Sequence, residues 1–214
     1  MKRYPLLATC TLCLLTQAVS AETYTAEVWA DNWFEMSING VKVAEDSVPI
    51  TTERSFNAER FSFDAKLPFS IGLKAMDFKE NNSGLEYIGS RRQQMGDGGV
   101  IAQIRNSKGE LVAATDGTWQ CLVTHEAPLD KRCADDENPI AGKGSCGFNE
   151  VETPTDWTLL DFDDSDWTNA QVYSESEVRP KDGYNRINWA DEAKLIWGPD
   201  LETDNTLLCR TVVN

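Results

Sequence analysis

The sequence predicts an all-β protein, an antiparallel β-sandwich with one long loop held by a disulfide. Apolar and polar residues alternate over short runs, which is the period of a strand buried on one face. Turn residues interrupt these runs roughly every 8 to 12 positions, as they do in sandwiches and barrels. Helical periodicity is almost absent after the first 21 residues.

The first 21 residues are predicted to form a secretory signal peptide. Lys2 and Arg3 precede an apolar run over residues 6–15, and small residues end the segment at Ala21. The apolar run is too short to span a bilayer. We therefore expect an exported protein, periplasmic or extracellular, with no membrane insertion and a single domain over residues 22–214.

The charge of the chain limits its partners. The sequence has 20 basic and 35 acidic residues, a formal net charge of -15, and loss of Lys2 and Arg3 with the signal makes it -17. Such an acidic surface argues against nucleic acid and anionic membranes as partners. It suits a soluble protein and is compatible with divalent cations.

The stretch "FEMSINGVKV" is the clearest hairpin. Phe34, Met36 and Ile38 alternate with polar residues, and Asn39-Gly40 follows. Asparagine and glycine both tolerate the positive φ of a two-residue hairpin turn, so a return strand is expected from Val41.

Two further stretches predict strands. In "LPFSIGLKAMDF" the apolar residues Phe69, Ile71, Leu73 and Ala75 share one face. The stretch "GVIAQIRN" is joined to "LVAATDGTWQCLV" by a polar turn over residues 106–109 that ends in glycine, which indicates a second hairpin.

A long segment, residues 124–157, has no clean period and is rich in proline and glycine. It contains Cys133 and Cys146, with Cys121 before it and Cys209 near the end of the chain. An even number of cysteines in an exported chain predicts two disulfides, with three possible connectivities. A local Cys133–Cys146 bridge would leave Cys121 and Cys209 to pair. A four-thiolate metal site is the alternative, but no C-x-x-C pair supports it.

Three motifs, in order, resemble a known family. "WFEMSINGVKV", "GDGGVIAQIRNSKGELVAATDGTWQC" and "WTLLDFDDSDWTNA" are similar to segments of galactose-binding-like jelly rolls. These are the non-catalytic β-sandwiches attached to α-L-rhamnosidases and β-galactosidase-type enzymes. The resemblance covers roughly residues 23–170 and implies the jelly-roll fold far more than any one function. We expect the module to stand alone, without an attached catalytic barrel, and the long cysteine loop lies between the second and third motifs and is not part of the resemblance.

The resemblance also bears on "DFDDSDW", residues 161–167. It implies that Phe162 and Trp167 are buried under the sheet, while Asp163, Asp164 and Ser165 bond local backbone in a turn. Jelly rolls of this type often carry one structural Ca²⁺, so Asp163 and Asp164 are candidate ligands. No cofactor is otherwise implied.

Catalysis has little support in the sequence. His125 is the single histidine, so Ser-His or Cys-His chemistry would have to use it, and no G-x-S-x-G surrounds a serine. We expect His125 to be a structural residue. A soft-metal site of His125 with Met95 is a lesser alternative. The protein is therefore expected not to be an enzyme.

Binding surfaces are easier to place. Sugar sites stack an aromatic ring on the ligand and surround it with polar groups. The candidate ligand-binding residues are Trp33, Glu86, Tyr87, Arg91, Arg92, Gln94 and Asp97. They predict a non-catalytic binding module for a glycan or another small polar ligand. The alternatives are an assembly protein that docks a partner through the cysteine loop or sheet face, and an exported protein that binds calcium or copper.

Overall fold

A computed structural model describes residues 21–214; the predicted signal peptide, apart from Ala21, lies outside the described residues. In this part of the chain strands account for 41% and helices for 8%. The helical content is far below the third that is ordinary for globular proteins, which confirms the predicted all-β class.

The described residues form fifteen strands and four short helices. The strands are β1 (Glu22–Asp31), β2 (Trp33–Ile38), β3 (Val41–Glu45), β4 (Asn57–Ala65), β5 (Phe69–Met76), β6 (Leu85–Glu86), β7 (Gln94–Met95), β8 (Gly99–Arg105), β9 (Leu111–Ala114), β10 (Gln120–Glu126), β11 (Asn149–Glu150), β12 (Thr168–Asn169), β13 (Gln171–Tyr173), β14 (Leu195–Trp197) and β15 (Asp204–Val213). The helices are α1 (Glu175–Val178) and 3₁₀ turns at Lys131–Asp135, Gly144–Cys146 and Tyr184–Arg186.

Two antiparallel sheets face each other. Sheet A has the order β13-β14-β8-β1-β4, with β9 paired to β8. Sheet B has the order β11-β10-β15-β5-β2-β3, with β12 paired to β10, and β6 and β7 form a separate ribbon. The core lies between sheets A and B, where inward residues of both pack together.

Strand β5 shows how the alternating pattern builds this core. Its predicted inward residues Phe69, Ile71, Leu73 and Ala75 are all completely buried. Each large apolar side chain buried in this way contributes about 1.5–3 kcal/mol. The predicted first hairpin is also present, because Asn39 and Gly40 both have positive φ, 47° and 83°, between β2 and β3.

Both disulfides predicted from the cysteine count are present. Cys121 and Cys209 lie directly opposite each other on β10 and β15 and bridge the two strands within sheet B. Cys133 and Cys146 close the long loop locally. Such bonds fit an oxidising, exported environment. No helix within residues 21–214 is long and apolar enough to cross a membrane.

The outer face of sheet A is partly covered by the segment that follows β13. Trp29 and Ile101 point outward from β1 and β8 and pack against Val178 and Tyr184 of this segment. The Trp29 indole N–H donates to the backbone oxygen of Asp182 over 3.1 Å. The residues around Asp182 are thereby held against the end of the sandwich.

The "DFDDSDW" segment lies on the outer face of sheet B. Asp163 accepts a hydrogen bond from the Ser165 N–H, as a turn residue does. Asp164 pairs with Arg210, a buried guanidinium on β15 that also donates to the backbone oxygen of Leu159. The segment is therefore fastened to the sheet by a buried arginine.

The expected burial of Phe162 and Trp167 under the sheet is wrong, because both side chains are only half-buried. Trp167 is half-buried and packs against the rings of Phe162 and Trp157, with centroids 5.6 and 6.0 Å away. The small aromatic group sits outside the sheet because the inward positions are already filled by the strands' own apolar residues.

Replacing Asp164 with alanine is expected to cost more stability than replacing Asp163. The first change leaves the buried Arg210 guanidinium without its carboxylate partner, at about 1.5–3 kcal/mol, whereas the second removes one solvent-exposed turn bond and should change stability much less. Urea unfolding of both variants measures the difference, with the exposed Asp166→Ala as control. Equal costs for the two variants would contradict the anchoring role of Arg210.

Candidate cation site

One end of the sandwich is organised by the passage of the chain from sheet A to sheet B. Strand β1 of sheet A ends at Asp31 and β2 of sheet B begins at Trp33. A single residue, Asn32, therefore connects these two strands. The Asn32 N–H donates to the Met76 oxygen over 2.9 Å, and its side-chain oxygen accepts from the Phe78 N–H. This corner fixes the end of β1 beside the end of β5.

Three carboxylates from distant parts of the chain converge at this corner. Asp31 is the last residue of β1, Asp77 directly follows β5, and Asp97 lies just before β8. One oxygen from each lies within 4.8 Å of the others. Within residues 21–214 no other group of three or more His, Cys, Asp or Glu side chains converges in this way. We call these three residues the carboxylate cluster.

Two members of the cluster are buried without sufficient partners. Asp31 and Asp77 are 0% and 1% exposed. Both side-chain oxygens of Asp77 and one of Asp31 have no hydrogen-bond partner. Because a buried ionised group without a partner is costly, such oxygens indicate a proton or a cation between them.

Gly96 leaves room for the cluster. A β-carbon at this position would lie 1.6 Å from one Asp77 oxygen, well inside contact distance. Any other residue would therefore displace the Asp77 carboxylate or the loop that carries Asp97.

Lys181 is the positive charge that faces the cluster. Its ammonium lies 2.9 Å from Asp97 and 3.3 Å from Asp31, and 4.5 Å from the centre of the Phe56 ring. It makes no ion pair with Asp77. A single ammonium therefore contacts two of the three carboxylates and can neutralise only one of their charges.

The local environment shifts the protonation of these groups. Burial, followed by the charge of Asp97, raises the pKa of Asp31 well above its usual value. Burial, followed by the charges of Asp31 and Glu86, does the same for the pKa of Asp77. Burial also raises the pKa of Glu86 to about 7. Although burial lowers it, the neighbouring carboxylates raise the pKa of Lys181 overall.

A cavity of about 380 Å³ adjoins the cluster. We call it the end cavity, and it is lined by Glu53, Arg54, Phe56, Glu86, Tyr87, Gln94, Lys181 and Asp182. The Gln94 amide donates to Glu86 over 2.8 Å, which holds that carboxylate in place. Tyr87 has a left-handed backbone, φ 52°, a conformation that non-glycine residues adopt at a cost and often near functional sites.

The predicted ligand-binding residues divide into two groups. Glu86, Tyr87 and Gln94 line the end cavity, and Asp97 belongs to the carboxylate cluster beside it. The structure does not bring Trp33, Arg91 and Arg92 into this cavity: Trp33 is half-buried in β2, and both arginines are exposed in a turn.

The predicted metal candidates lie elsewhere and have local partners. His125 is buried, its Nδ1 lies 2.9 Å from the Asn205 side-chain oxygen, and its ring stacks on Phe148. Asp163 and Asp164 are engaged by the turn and by Arg210. Sequence reasoning missed Asp31, Asp77 and Lys181, because no motif connects them.

The donor set of the cluster decides which ion it suits. It consists of carboxylate oxygens without sulfur or imidazole, which favours hard cations over copper and zinc. Oxygens bound to one Ca²⁺ at 2.3–2.6 Å lie at most about 5 Å apart, and the three oxygens of the cluster all lie within 4.8 Å of one another. The cluster therefore fits a single shared divalent cation.

Fold and site together define the class: an all-β protein of two antiparallel sheets with an acidic site and a small cavity at one end. No protein-family model, curated protein or solved structure matches this chain.

Without a divalent cation, the stability of the protein is expected to fall as pH rises from about 5 to about 7. Raised folded-state pKa values mean that the folded cluster and Glu86 hold protons more tightly than the unfolded chain. This contribution is complete below about pH 4. It is lost as pH rises through the folded values, which for Glu86 is about 7.

Melting temperatures in chelator across this range test the expectation. Asp46 and Asp204 also have pKa values raised to about 6, so the informative quantity is the difference between wild type and Asp77→Asn. The variant should melt at the higher temperature as the pH rises, because asparagine cannot ionise and so adds no negative charge to the buried cluster. A difference that does not change with pH would contradict the assignment.

Proposed function

We propose that the protein is an exported, non-catalytic binding module that takes up a divalent cation, Ca²⁺ by its chemistry, at the carboxylate cluster. The observation that carries the proposal is Asp77, a fully buried carboxylate whose two oxygens have no partner. A cation shared with Asp31 and Asp97 supplies the missing positive charge and satisfies the unpaired oxygens of both buried aspartates.

Calcium suits this site better than magnesium. Mg²⁺ demands near-ideal octahedral geometry and keeps several waters, whereas Ca²⁺ accepts irregular sets of six to eight oxygens. Three carboxylates from three separate loops and strand ends, two of them fully buried, are an irregular set of this kind. The two disulfides support a location outside the cytoplasm.

The fold supports a closer assignment. Two facing antiparallel sheets are compatible with a jelly roll of the galactose-binding-like type, and we propose this type on the strength of the three sequence motifs. Modules of this type are binding domains rather than enzymes, and the Nδ1 of the single histidine, His125, is bonded to Asn205 while its buried Nε2 has no hydrogen-bond partner.

A second binding partner is favoured by the end cavity. Three of the residues that the sequence singled out for ligand binding line it, beside the aromatic ring of Phe56. Carboxylate, amide and hydroxyl groups around an aromatic residue are the usual surroundings of a sugar. We propose that a small polar ligand, a glycan unit by this chemistry, binds here.

Calcium is expected to raise the melting temperature of the wild-type protein. A ligand at 100 times its Kd stabilises the folded state by about 2.7 kcal/mol. For a domain of this size that is roughly 5–10 °C. Asp77→Asn should abolish the calcium-dependent shift while raising the melting temperature in chelator.

The matched control is Asp46→Asn. Asp46 is also a buried carboxylate with one unpaired oxygen, but it lies outside the cluster. This variant should keep the full calcium response. Absence of any shift in wild type at millimolar calcium, or an unchanged shift in Asp77→Asn, would refute the proposed cation site.

Ligand binding in the end cavity is tested by titrating monosaccharides followed by nuclear magnetic resonance. Glu86→Gln and Tyr87→Phe should weaken binding about tenfold each, the effect of one lost hydrogen bond of about 1.4 kcal/mol. Arg91→Ala, outside the cavity, should leave it unchanged. Resonance changes confined to other parts of the protein would place the ligand elsewhere.

A further inference from the structure

Lys181 pairs with the same carboxylates that a divalent cation needs. Its ammonium contacts one oxygen of Asp31 and both oxygens of Asp97, at 2.9 to 3.3 Å. A cation shared by the cluster must bind these side chains too. Two positive charges that use the same carboxylates repel each other at short range, so binding of the cation and the Lys181 ion pairs oppose each other.

The lysine is an incomplete substitute for the cation. It carries one charge and does not pair with Asp77, whose oxygens stay without partners. A divalent ion carries twice the charge and coordinates several oxygens at once. The cation therefore has the stronger interaction, reduced by the free energy needed to remove the lysine.

The end cavity offers space for a displaced ammonium. Lys181 lines the end cavity, its side chain is 38% exposed, and its ammonium already lies over the Phe56 ring. Glu53, Glu86 and Asp182 line the same cavity and attract a positive charge. The backbone next to Lys181 is held in place, because the Asp182 backbone oxygen accepts a hydrogen bond from the Trp29 indole. Movement of the Lys181 side chain alone would therefore bring its ammonium into the cavity.

We propose that Lys181 is an internal counter-ion of the carboxylate cluster, that a divalent cation displaces it, and that the released ammonium enters the end cavity. The proposal rests on the proposed cation binding and adds its regulation. Occupancy of the cluster then sets the charge and the free space of the neighbouring cavity. By thermodynamic linkage, a ligand that binds the released ammonium strengthens cation binding by the same factor by which the cation strengthens binding of that ligand.

The first test is calcium affinity, measured by calorimetry on the full mature chain. Lys181→Met keeps the length of the side chain and removes its charge, so calcium should bind about 5–150-fold more tightly, the usual range of coupling between sites. Lys42→Met is the matched control, because Lys42 also pairs with two carboxylates, Glu35 and Glu45, outside the cluster. Loss of this exposed charge should change affinity by less than about twofold, since salt screens it.

The second test uses the wild-type protein and does not depend on how the variant folds. An amine-acylating reagent followed by mass spectrometry reports the reactivity of each lysine. Calcium should increase the labelling of Lys181, whose ion pairs are broken, and leave the labelling of Lys42 unchanged. Magnesium at the same concentration controls for ionic strength.

The outcomes separate the two proposals. Calcium binding to neither wild type nor Lys181→Met would overturn the cation site itself and this inference with it. Calcium binding that Lys181→Met leaves equal or weakens, or Lys181 labelling that calcium does not raise, would overturn the counter-ion role and leave the cation site standing. Binding seen only in Lys181→Met would overturn both proposals for the natural protein, because the lysine would then exclude calcium instead of being displaced by it.

Discussion

Buried negative charge at one end of the sandwich is the constraint that the surrounding structure answers. Asp31 and Asp77 are taken out of water by the two sheets that meet at this corner. Isolated charges in such a place are too costly to persist, so each neighbour responds to them. Lys181 supplies a positive charge beside the cluster. Glu86 accepts a hydrogen bond from Gln94 and has a raised pKa. Position 96 is a glycine, which leaves space for the Asp77 carboxylate.

Local sequence signals were enough to predict individual strands and the first hairpin, but not that the stretch after the second hairpin turn divides into β9 of sheet A and β10 of sheet B. Asn39-Gly40 specifies its hairpin because both residues accept positive φ, and the period of two in β5 places Phe69 and Ile71 in the core. The cysteine spacing was equally informative, since a bridge between Cys133 and Cys146 leaves one other pair. These features depend on neighbouring residues or on simple counting, which a sequence displays directly.

The carboxylate cluster could not be predicted in the same way. Asp31, Asp77 and Asp97 are far apart in a chain with 35 acidic residues, and the corner at Asn32 together with the pairing of β1 with β8 brings them together. The density of polar residues around Glu86 and Asp97 predicts a binding site there. It does not show that Glu86 bonds to Gln94 or that Asp97 pairs with Lys181. For the segment that carries Trp167, the sequence predicts the turn in which Asp163 bonds to local backbone. It does not show that the segment lies on the outer face of sheet B.

The three cluster residues also carry information about the order of events during folding. Asp31 ends a strand of sheet A, Asp77 follows a strand of sheet B, and Asp97 precedes another strand of sheet A. A chain in which the two sheets have not yet come together has no such site, so a cation bound as proposed would stabilise only the assembled sandwich. For an exported chain, calcium present outside the cytoplasm would then stabilise the protein only after export and only once both sheets have assembled.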